Sequence, residues 1–331
     1  MSERKVLIIG GGGYVGTAVT PLFLEAGFSV RCLDSFVYGH DRTVFGFLGQ
    51  PGYEFMRGDL CDADTVRAAL SDVDDVILLA GLVGDPITKT YPDASKAIND
   101  DGYRTVFDVL AESTVDRVIF VSTCSNYGLI PEGAVADENW PLNPLSLYAK
   151  AKVAAELYLM EAAATLPYVP TILRFATAFG LSPRMRFDLT VSEFTRELAI
   201  GNELIVFDAD TWRPYCHVRD FGRLLLKTLA APKSIVHGTV FNAGGDTNNA
   251  TKRSLVEAIA ARIPGAHITY EEHGGDPRNY RVNFAKVRSE LEFEPAFSID
   301  DGIDELMAAL NQGFFKDVNR AESLFGNWVL K

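Results

Sequence analysis

The sequence predicts an α/β fold built on a doubly wound parallel sheet, followed by a smaller C-terminal α/β lobe. Three observations carry this. Short apolar runs alternate with helix-patterned segments through the first 175 residues. A cluster of glycines, Gly10-Gly11-Gly12-Gly13-Tyr14-Val15-Gly16, joins the first run to the first helix. After Phe175 the strands shorten and the loops lengthen. The expected division is therefore residues 1–175 and 176–331, with an approximate boundary that segments of the two parts are free to cross.

The first strand is read at Val6–Ile9, an unbroken apolar run of the kind buried on both faces of a parallel sheet. Tyr14–Ala26 has helical periodicity and stops at Gly27. Strands follow at Ser29–Leu33, closed by Asp34, and at Tyr53–Arg57. A short helix at Asp62–Leu70 leads to a strand at Val76–Leu79. A helix over Ser95–Ala111, a strand at Arg117–Ser122, a long helix at Ser146–Ala164 and a strand at Val169–Phe175 complete the first part. In the second part, strands are expected at Leu204–Phe207, Val240–Asn242 and His267–Tyr270. Helices are expected at Asp188–Ile200, Val218–Leu229, Thr251–Ile263 and Ile299–Gln312, with loops around Ser182–Arg186, Asp208–Pro214 and His273–Arg281.

The 331 residues carry a net charge of −13, which argues against a broad nucleic-acid or anionic-membrane surface, since both require a positive face. A phosphate-bearing small ligand needs only a few local donors and stays open. Cys32, Cys61, Cys124 and Cys216 form neither a metal-ligand spacing nor a disulfide framework, so a reducing cytoplasm is the expected compartment. No signal peptide is read ahead of the first strand, and the longest apolar stretch, Val76 to Gly84, is too short to span a bilayer. No metal site is expected.

Gly10, Gly13 and Gly16 lie where a strand turns into a helix, and there they permit close approach of a pyrophosphate to the helix N-terminus. Gly11, Gly13 and Gly16 satisfy the spacing equally well, so the register stays open. Asp34 ends the second strand, where a carboxylate can bind both ribose hydroxyls; the alternative is an ordinary turn residue. Ser35-Phe36-Val37 supplies no arginine for a 2′-phosphate, which favours NAD over NADP. Asp59-Leu60 can bracket an adenine, or Gly58-Asp59 can be a turn pair. Tyr148 and Lys152 stand one helical turn apart, and an ammonium beside a phenol favours the phenolate. Together these features suggest redox chemistry at an alcohol carbon.

The motifs Gly10–Gly16, Asp34, Asp59-Leu60, Leu79-Ala80-Gly81, Ser122-Thr123-Cys124-Ser125-Asn126-Tyr127-Gly128 and Tyr148-x-x-x-Lys152 resemble those of the extended short-chain dehydrogenase/reductase family. More narrowly, they resemble its nucleotide-sugar epimerase/dehydratase branch. The resemblance spans nearly the whole chain and includes Arg213 to Asp220, which matches the branch's usual strand-to-helix segment. It implies a Rossmann-type domain with NAD held by Gly10, Gly13, Tyr14, Val15, Gly16, Asp34, Asp59, Leu60, Leu79, Ala80, Gly81, Tyr148 and Lys152. It implies Thr123 as the substrate hydroxyl's hydrogen-bond partner, with Ser122 structural, Tyr148 as acid/base, and Lys152 on the nicotinamide ribose, lowering the tyrosine pKa. Asn99 matches a position that is often structural. The substrate would be a nucleotide diphosphate sugar bound through Thr123, Thr177, Arg213, Asp276 and Arg278, with the loop Arg184-Met185-Arg186 also able to reach phosphate. Relatives dimerise through helices matching Ser95–Ala111 and Ser146–Ala164, so a homodimer is expected.

The departures are informative. Sugar-nucleotide 4,6-dehydratases of the branch place Asp-Glu after the threonine, where this chain has Cys124-Ser125. Cys124 is either a small apolar filler or an acid/base acting on a keto intermediate. The usual asparagine after the sixth strand is Thr177, and the usual arginine three residues before Asp276 is His273. His217 reads as structural. The expected activity is an NAD-dependent nucleotide-sugar epimerase, C4 favoured. The alternatives are an atypical dehydratase using Cys124, a reductase or oxidase of the same substrates, and a non-catalytic NAD-binding regulator.

Overall fold

Val6 to Ile9 are fully buried because β1 (Lys5–Ile9) runs through the middle of a sheet covered on both faces. The computed structural model describes residues 4–273, 278–315 and 317–331. From the glycine turn the chain enters α1 (Tyr14–Glu25), ends it at Gly27 in a left-handed conformation (φ +84), and returns as β2 (Ser29–Asp34) and β3 (Tyr53–Arg57). Next come α2 (Ala63–Ala69), capped by the Asp62 carboxylate on the Asp64 N–H, then β4 (Asp75–Leu78). Helices α3 (Asp85–Thr90) and α4 (Pro92–Ser95) lead through a π-helical turn at Lys96–Asp101 into α5 (Gly102–Ala111). β5 (Arg117–Thr123), α6 (Leu147–Ala162) and β6 (Val169–Phe175) follow. The Ser146 hydroxyl accepts the Ala149 N–H and fixes the start of α6, which places Tyr148 in its first turn.

The chain then builds β7 (Thr177–Phe179), α7 (Thr190–Ala199), β8 (Leu204–Phe207), β9 (Trp212–His217), α8 (Val218–Ala230), α9 (Lys233–Val236), β10 (Thr239–Ala243), β11 (Asn249–Thr251), α10 (Lys252–Ala260), β12 (Ile268–Glu271), α11 (Ala285–Leu291) and α12 (Ile299–Asn311). The large sheet has the order β10-β6-β5-β4-β1-β2-β3, parallel throughout. After β3 the chain jumps back across β1 to add β4. The strand order therefore reverses between β1 and β4, which opens a crevice at their C-terminal ends.

Two placements differ from the expected arrangement. Thr239–Ala243 pairs in parallel with β6 and completes the large sheet rather than the small lobe, and α8 packs on α1. β9 also forms where a loop was expected up to Pro214; it lies between β7 and β11. Pro214 and the polar residues Arg213 and His217 hide a strand that is buried from Arg213 onward. The rest of the smaller lobe pairs β8 with β12 and buries Val191, Leu198, Val206, Leu255, Val256 and Ile303 together.

Two glycines are dictated by close packing at the turn. Gly10 has φ +87, and a Cβ there would stand 2.6 Å from the Ala80 backbone; a Cβ on Gly16 would stand 2.5 Å from Gly11 Cα. Gly10→Ala should therefore destabilise the protein by roughly 2–5 kcal/mol, left-handed backbone costing ~1–2 and overpacking ~1–3. Urea unfolding with an unchanged m-value checks this.

Candidate active site

The left-handed residue of the glycine turn is Gly10, at φ +87. Gly13, the N-cap of α1, has an extended backbone, and a Cβ there would meet nothing nearer than Gly10 O at 3.4 Å. No side chain caps this helix. Its first-turn N–H groups and positive dipole end are thus arranged for an anion, and Gly13 leaves room for one. Tyr14 and Val15 begin that turn.

Asp34 closes β2 beside it. Its Oδ2 accepts the Gly12 N–H (2.9 Å) and its Oδ1 the Phe36 N–H (2.8 Å). Burial raises the Asp34 pKa, and those two N–H groups oppose the rise. Each oxygen keeps lone-pair capacity for a ribose hydroxyl. Asp59 is exposed and accepts the Cys61 N–H, Leu60 is buried, and Leu79, Ala80 and Gly81 form the half-buried rim after β4. Asn99, from the π-helical turn, is fully buried. Its Oδ1 accepts the Leu82 N–H (2.8 Å) and its Nδ2 donates to Leu82 O (3.0 Å), so it fixes this rim.

Across the crevice, α6 presents Tyr148, Lys152 and Glu156 on successive turns. The Lys152 Nζ donates to Val121 O (2.7 Å) and lies over the Tyr103 and Phe120 rings, at 4.8 and 4.5 Å. Burial pushes its pKa down to about 7, with Glu156 opposing the shift. An ammonium has three donors, and nicotinamide ribose hydroxyls fit the remaining ones. The residues present thus suit NAD at both ribose positions and at the pyrophosphate turn.

Arg186, from the second lobe, also acts on the Tyr148 phenol. Burial pushes the phenol well above its ordinary range. Arg186 and a hydrogen bond with Thr123 oppose this, while Tyr280 and Asp85 add to it. Lys152, 5.9 Å from the Tyr148 ring centroid, is turned towards Val121. Arg186 is buried and held by Asp188, Nε to Oδ1 at 3.0 Å and Nη2 to Oδ2 at 2.5 Å.

The loop after β5 supplies Thr123. Its Oγ accepts the Ser125 N–H (3.1 Å) and shares a hydrogen bond with Ser125 Oγ (2.9 Å). Cys124 points the other way. It is buried, its Sγ donates to Arg174 O (2.9 Å), and burial pushes the thiol pKa up, so the acid/base role considered for it has no geometric basis. Behind the loop sits Glu156, fully buried. Its Oε1 accepts from Ser122 Oγ and from Asn126 Nδ2 (2.7 Å), and its Oε2 from Arg174 Nε (2.9 Å) and Nη2 (2.7 Å). Glu156 escaped the motif reading, although its spacing of four from Lys152 put it on the same helix face.

On the substrate side, Arg213 is buried, stacks 5.1 Å from the Tyr280 ring centroid, and donates to Trp212 O (2.8 Å) and Arg278 O. Arg278 reaches Asp85 at 3.7 Å. Thr177 starts β7, half-buried, opposite Tyr215 of β9. Asp276 lies outside the described residues. A cleft of about 570 Å³ opens nearby between residues 129–134, Trp212 and Tyr280-Arg281. His217 is structural: its Nε2 meets Glu305 at 3.1 Å and its Nδ1 accepts the Arg219 N–H. Among the described residues no group of side chains could hold a metal ion, and no helix is long and apolar enough to cross a membrane.

A glycine turn, a strand-end carboxylate and a tyrosine–lysine pair around one crevice are those of an NAD-dependent enzyme. The chain belongs to the NAD dependent epimerase/dehydratase family, whose model matches residues 6–244. It is 27% identical to a dTDP-glucose 4,6-dehydratase of Actinoplanes sp., over 92% of this chain and 97% of that one. It is equally 27% identical to a UDP-glucose 4-epimerase of Streptococcus mutans, over 92% and 95%. Among solved structures, a dTDP-glucose 4,6-dehydratase from Bacillus anthracis in complex with NAD superposes with a TM-score of 0.82 at 21% identity, over 94% of this chain and 97% of that one. NAD is the family's cofactor.

The buried ammonium makes Lys152 costly to the apo fold. Below pH 7 it is charged in both folded and unfolded chains, and the cost is full. The cost is relieved as pH rises from 7 towards 10.5, where the folded chain has already lost the proton. Lys152→Met should therefore stabilise the apo protein at pH 6 by about 1–3 kcal/mol, with the gain shrinking by pH 9. It should also weaken NAD binding. Apo thermal melts across pH, with calorimetric NAD titration, check both.

Proposed function

We propose that this protein is a nucleotide-sugar 4-epimerase. The observation that carries the reading is the loop after β5. Where dehydratases of the branch place an Asp-Glu pair, Cys124 turns into the core and Ser125 bonds Thr123. The site thus offers a base for a sugar hydroxyl and no carboxylate at that position to take a C5 proton.

In this reading Thr123 holds the C4 hydroxyl and Tyr148 Oη accepts its proton, the phenol being brought towards ionisation by Arg186 and Thr123. NAD held by the Gly10–Gly16 turn, Asp34 and Lys152 would supply the acceptor, and then the donor, of the C4 hydride. Lys152 orients the cofactor ribose, and Tyr148 gives the proton back after the keto sugar has turned. Arg213 and Arg278, with Thr177, line the path for a nucleoside diphosphate, and guanidinium groups suit phosphate oxygens. Asp276 is assigned to the same subsite by resemblance.

The outward side of α6 exposes Leu157, Tyr158 and Met160, which suits a homodimer formed with a second copy through α5 and α6. We place the enzyme in the reducing cytoplasm, in keeping with its four unpaired cysteines.

A panel of nucleotide hexoses in deuterated water, followed by NMR, tests the reading. The expected result is inversion at C4 without solvent deuterium in the sugar. Deuterium at C5 with loss of water would replace it with a dehydratase. Tyr148→Phe should lower kcat by about 10²–10⁴-fold while the protein still binds NAD; a fully active variant would remove Tyr148 from the chemistry.

A further inference from the structure

The largest side chain among the fully buried ones is Arg184, 1% exposed, and the hydroxyl chemistry does not use it. It sits on the loop that packs the second lobe onto the start of α1. There, Ser182 Oγ donates to Tyr14 O (2.7 Å) and shares a hydrogen bond with Thr17 Oγ (2.9 Å). The guanidinium carbon lies 5.1 Å from the centroid of the Tyr38 ring. Nη2 donates to two carbonyls of the last segment, Ser323 O (3.1 Å) and Gly326 O (2.9 Å), while Nη1 has no hydrogen-bond partner. Burial and the neighbouring Arg186 push its pKa down to about 10, with Asp188, Tyr38 and Asp34 opposing. A cation this costly to bury needs a reason.

Residues 323–331 supply it. Ser323 is fully buried, and its Oγ accepts the Trp328 and Val329 N–H groups. Asn327 Nδ2 donates to Val83 O (3.0 Å), in the loop after β4. The Lys331 N–H donates to Val37 O (2.8 Å), in the loop after Asp34. Leu330 packs on Tyr38, Leu82 and Ile87, which themselves join the two loops. In the sheet β1 lies between β2 and β4, so a segment tied to both their loops crosses the mouth of the crevice above the glycine turn.

We propose that Arg184 is a cofactor-positioning residue: through Tyr38 and residues 323–331 it holds the two loops closed over the dinucleotide crevice, so that NAD stays resident instead of exchanging. Tyr38 is gripped by the Arg184 cation and by Leu330. Asp34, two residues before Phe36 and tied to it, is thereby kept in place for the ribose. Release of the cofactor requires this segment to unlatch. The inference rests on NAD as the family's cofactor and is independent of which sugar reaction follows.

The test loads full-length protein with isotope-labelled NAD and chases it with unlabelled NAD, comparing the parent with Arg184→Met, Arg184→Lys and Leu330→Ala. Arg184→Met should release label about 10- to 100-fold faster, the range set by hydrogen bonds to a charged group. Leu330→Ala should release it faster by a smaller factor, and Arg184→Lys should fall between parent and Met. Turnover lost by dilution of the Met variant should return on adding NAD, and the release rate is compared below the melting transition of each variant. Parent-like release from an Arg184→Met protein that melts cooperatively would overturn the proposal. If that variant does not fold, parent-like release from Leu330→Ala overturns it instead.

Discussion

The carboxylate of Glu156 is the constraint on which the site depends. It stands on the same face of α6 as Tyr148 and Lys152, and all four of its described bonds reach other elements: Ser122 and Asn126 around the β5 loop, and Arg174 of β6. Arg174 carries the chain of contacts onward to Tyr127, whose hydroxyl donates to Asn242 of β10. Taking both charges out of water is costly, and the geometry offsets this only because each oxygen is fully bonded. What the arrangement gains is registry. Helix, loop and strand are held at one mutual distance, so Thr123 and Tyr148 face the same point.

The second lobe contributes charge as well as a wall. The chain carries an excess of 13 negative charges, yet Arg184, Arg186, Arg213 and Arg278 gather beside the crevice. In a low-dielectric cleft a few buried cations outweigh many solvated carboxylates, whose fields are screened within about 10 Å at 0.1 M salt. Burial makes the phenol on α6 harder to ionise, and a guanidinium delivered across the lobe boundary opposes that shift. Tyr148 belongs to one lobe and its electrostatic environment to both.

Much of the first half was legible in the sequence because its signals are local. Apolar runs mark buried parallel strands, Gly27 stops a helix, and Asp34 ends a strand whatever the rest of the chain does. The strand Tyr53–Arg57 and the strand Val169–Phe175 lie where the pattern put them. Non-local features were less legible. A spacing of four placed Lys152 beside Tyr148, but the direction of its ammonium is set by Val121 O and two aromatic rings from other elements. Cys124 read ambiguously because residues at a strand end can face the cleft or the core, and Arg174 O decides between them. β9 was absent from the pattern reading, though the resemblance matched Arg213–Asp220 to a strand-to-helix segment, because a proline sits where the rule expects β-branched residues; the placement of β10 depends on an edge left open by β6.

That open edge has a consequence for how the chain comes to exist. β6 is an apolar strand, Val-Pro-Thr-Ile-Leu-Arg-Phe, and its outer hydrogen-bonding side is covered only by β10, which is synthesised after the whole excursion from β7 through α9. While the ribosome is still making that excursion, the nascent sheet displays an unpaired, sticky border of the kind that recruits other chains. Vectorial synthesis thus leaves that border uncovered from the completion of β6 until β10 arrives to seal it.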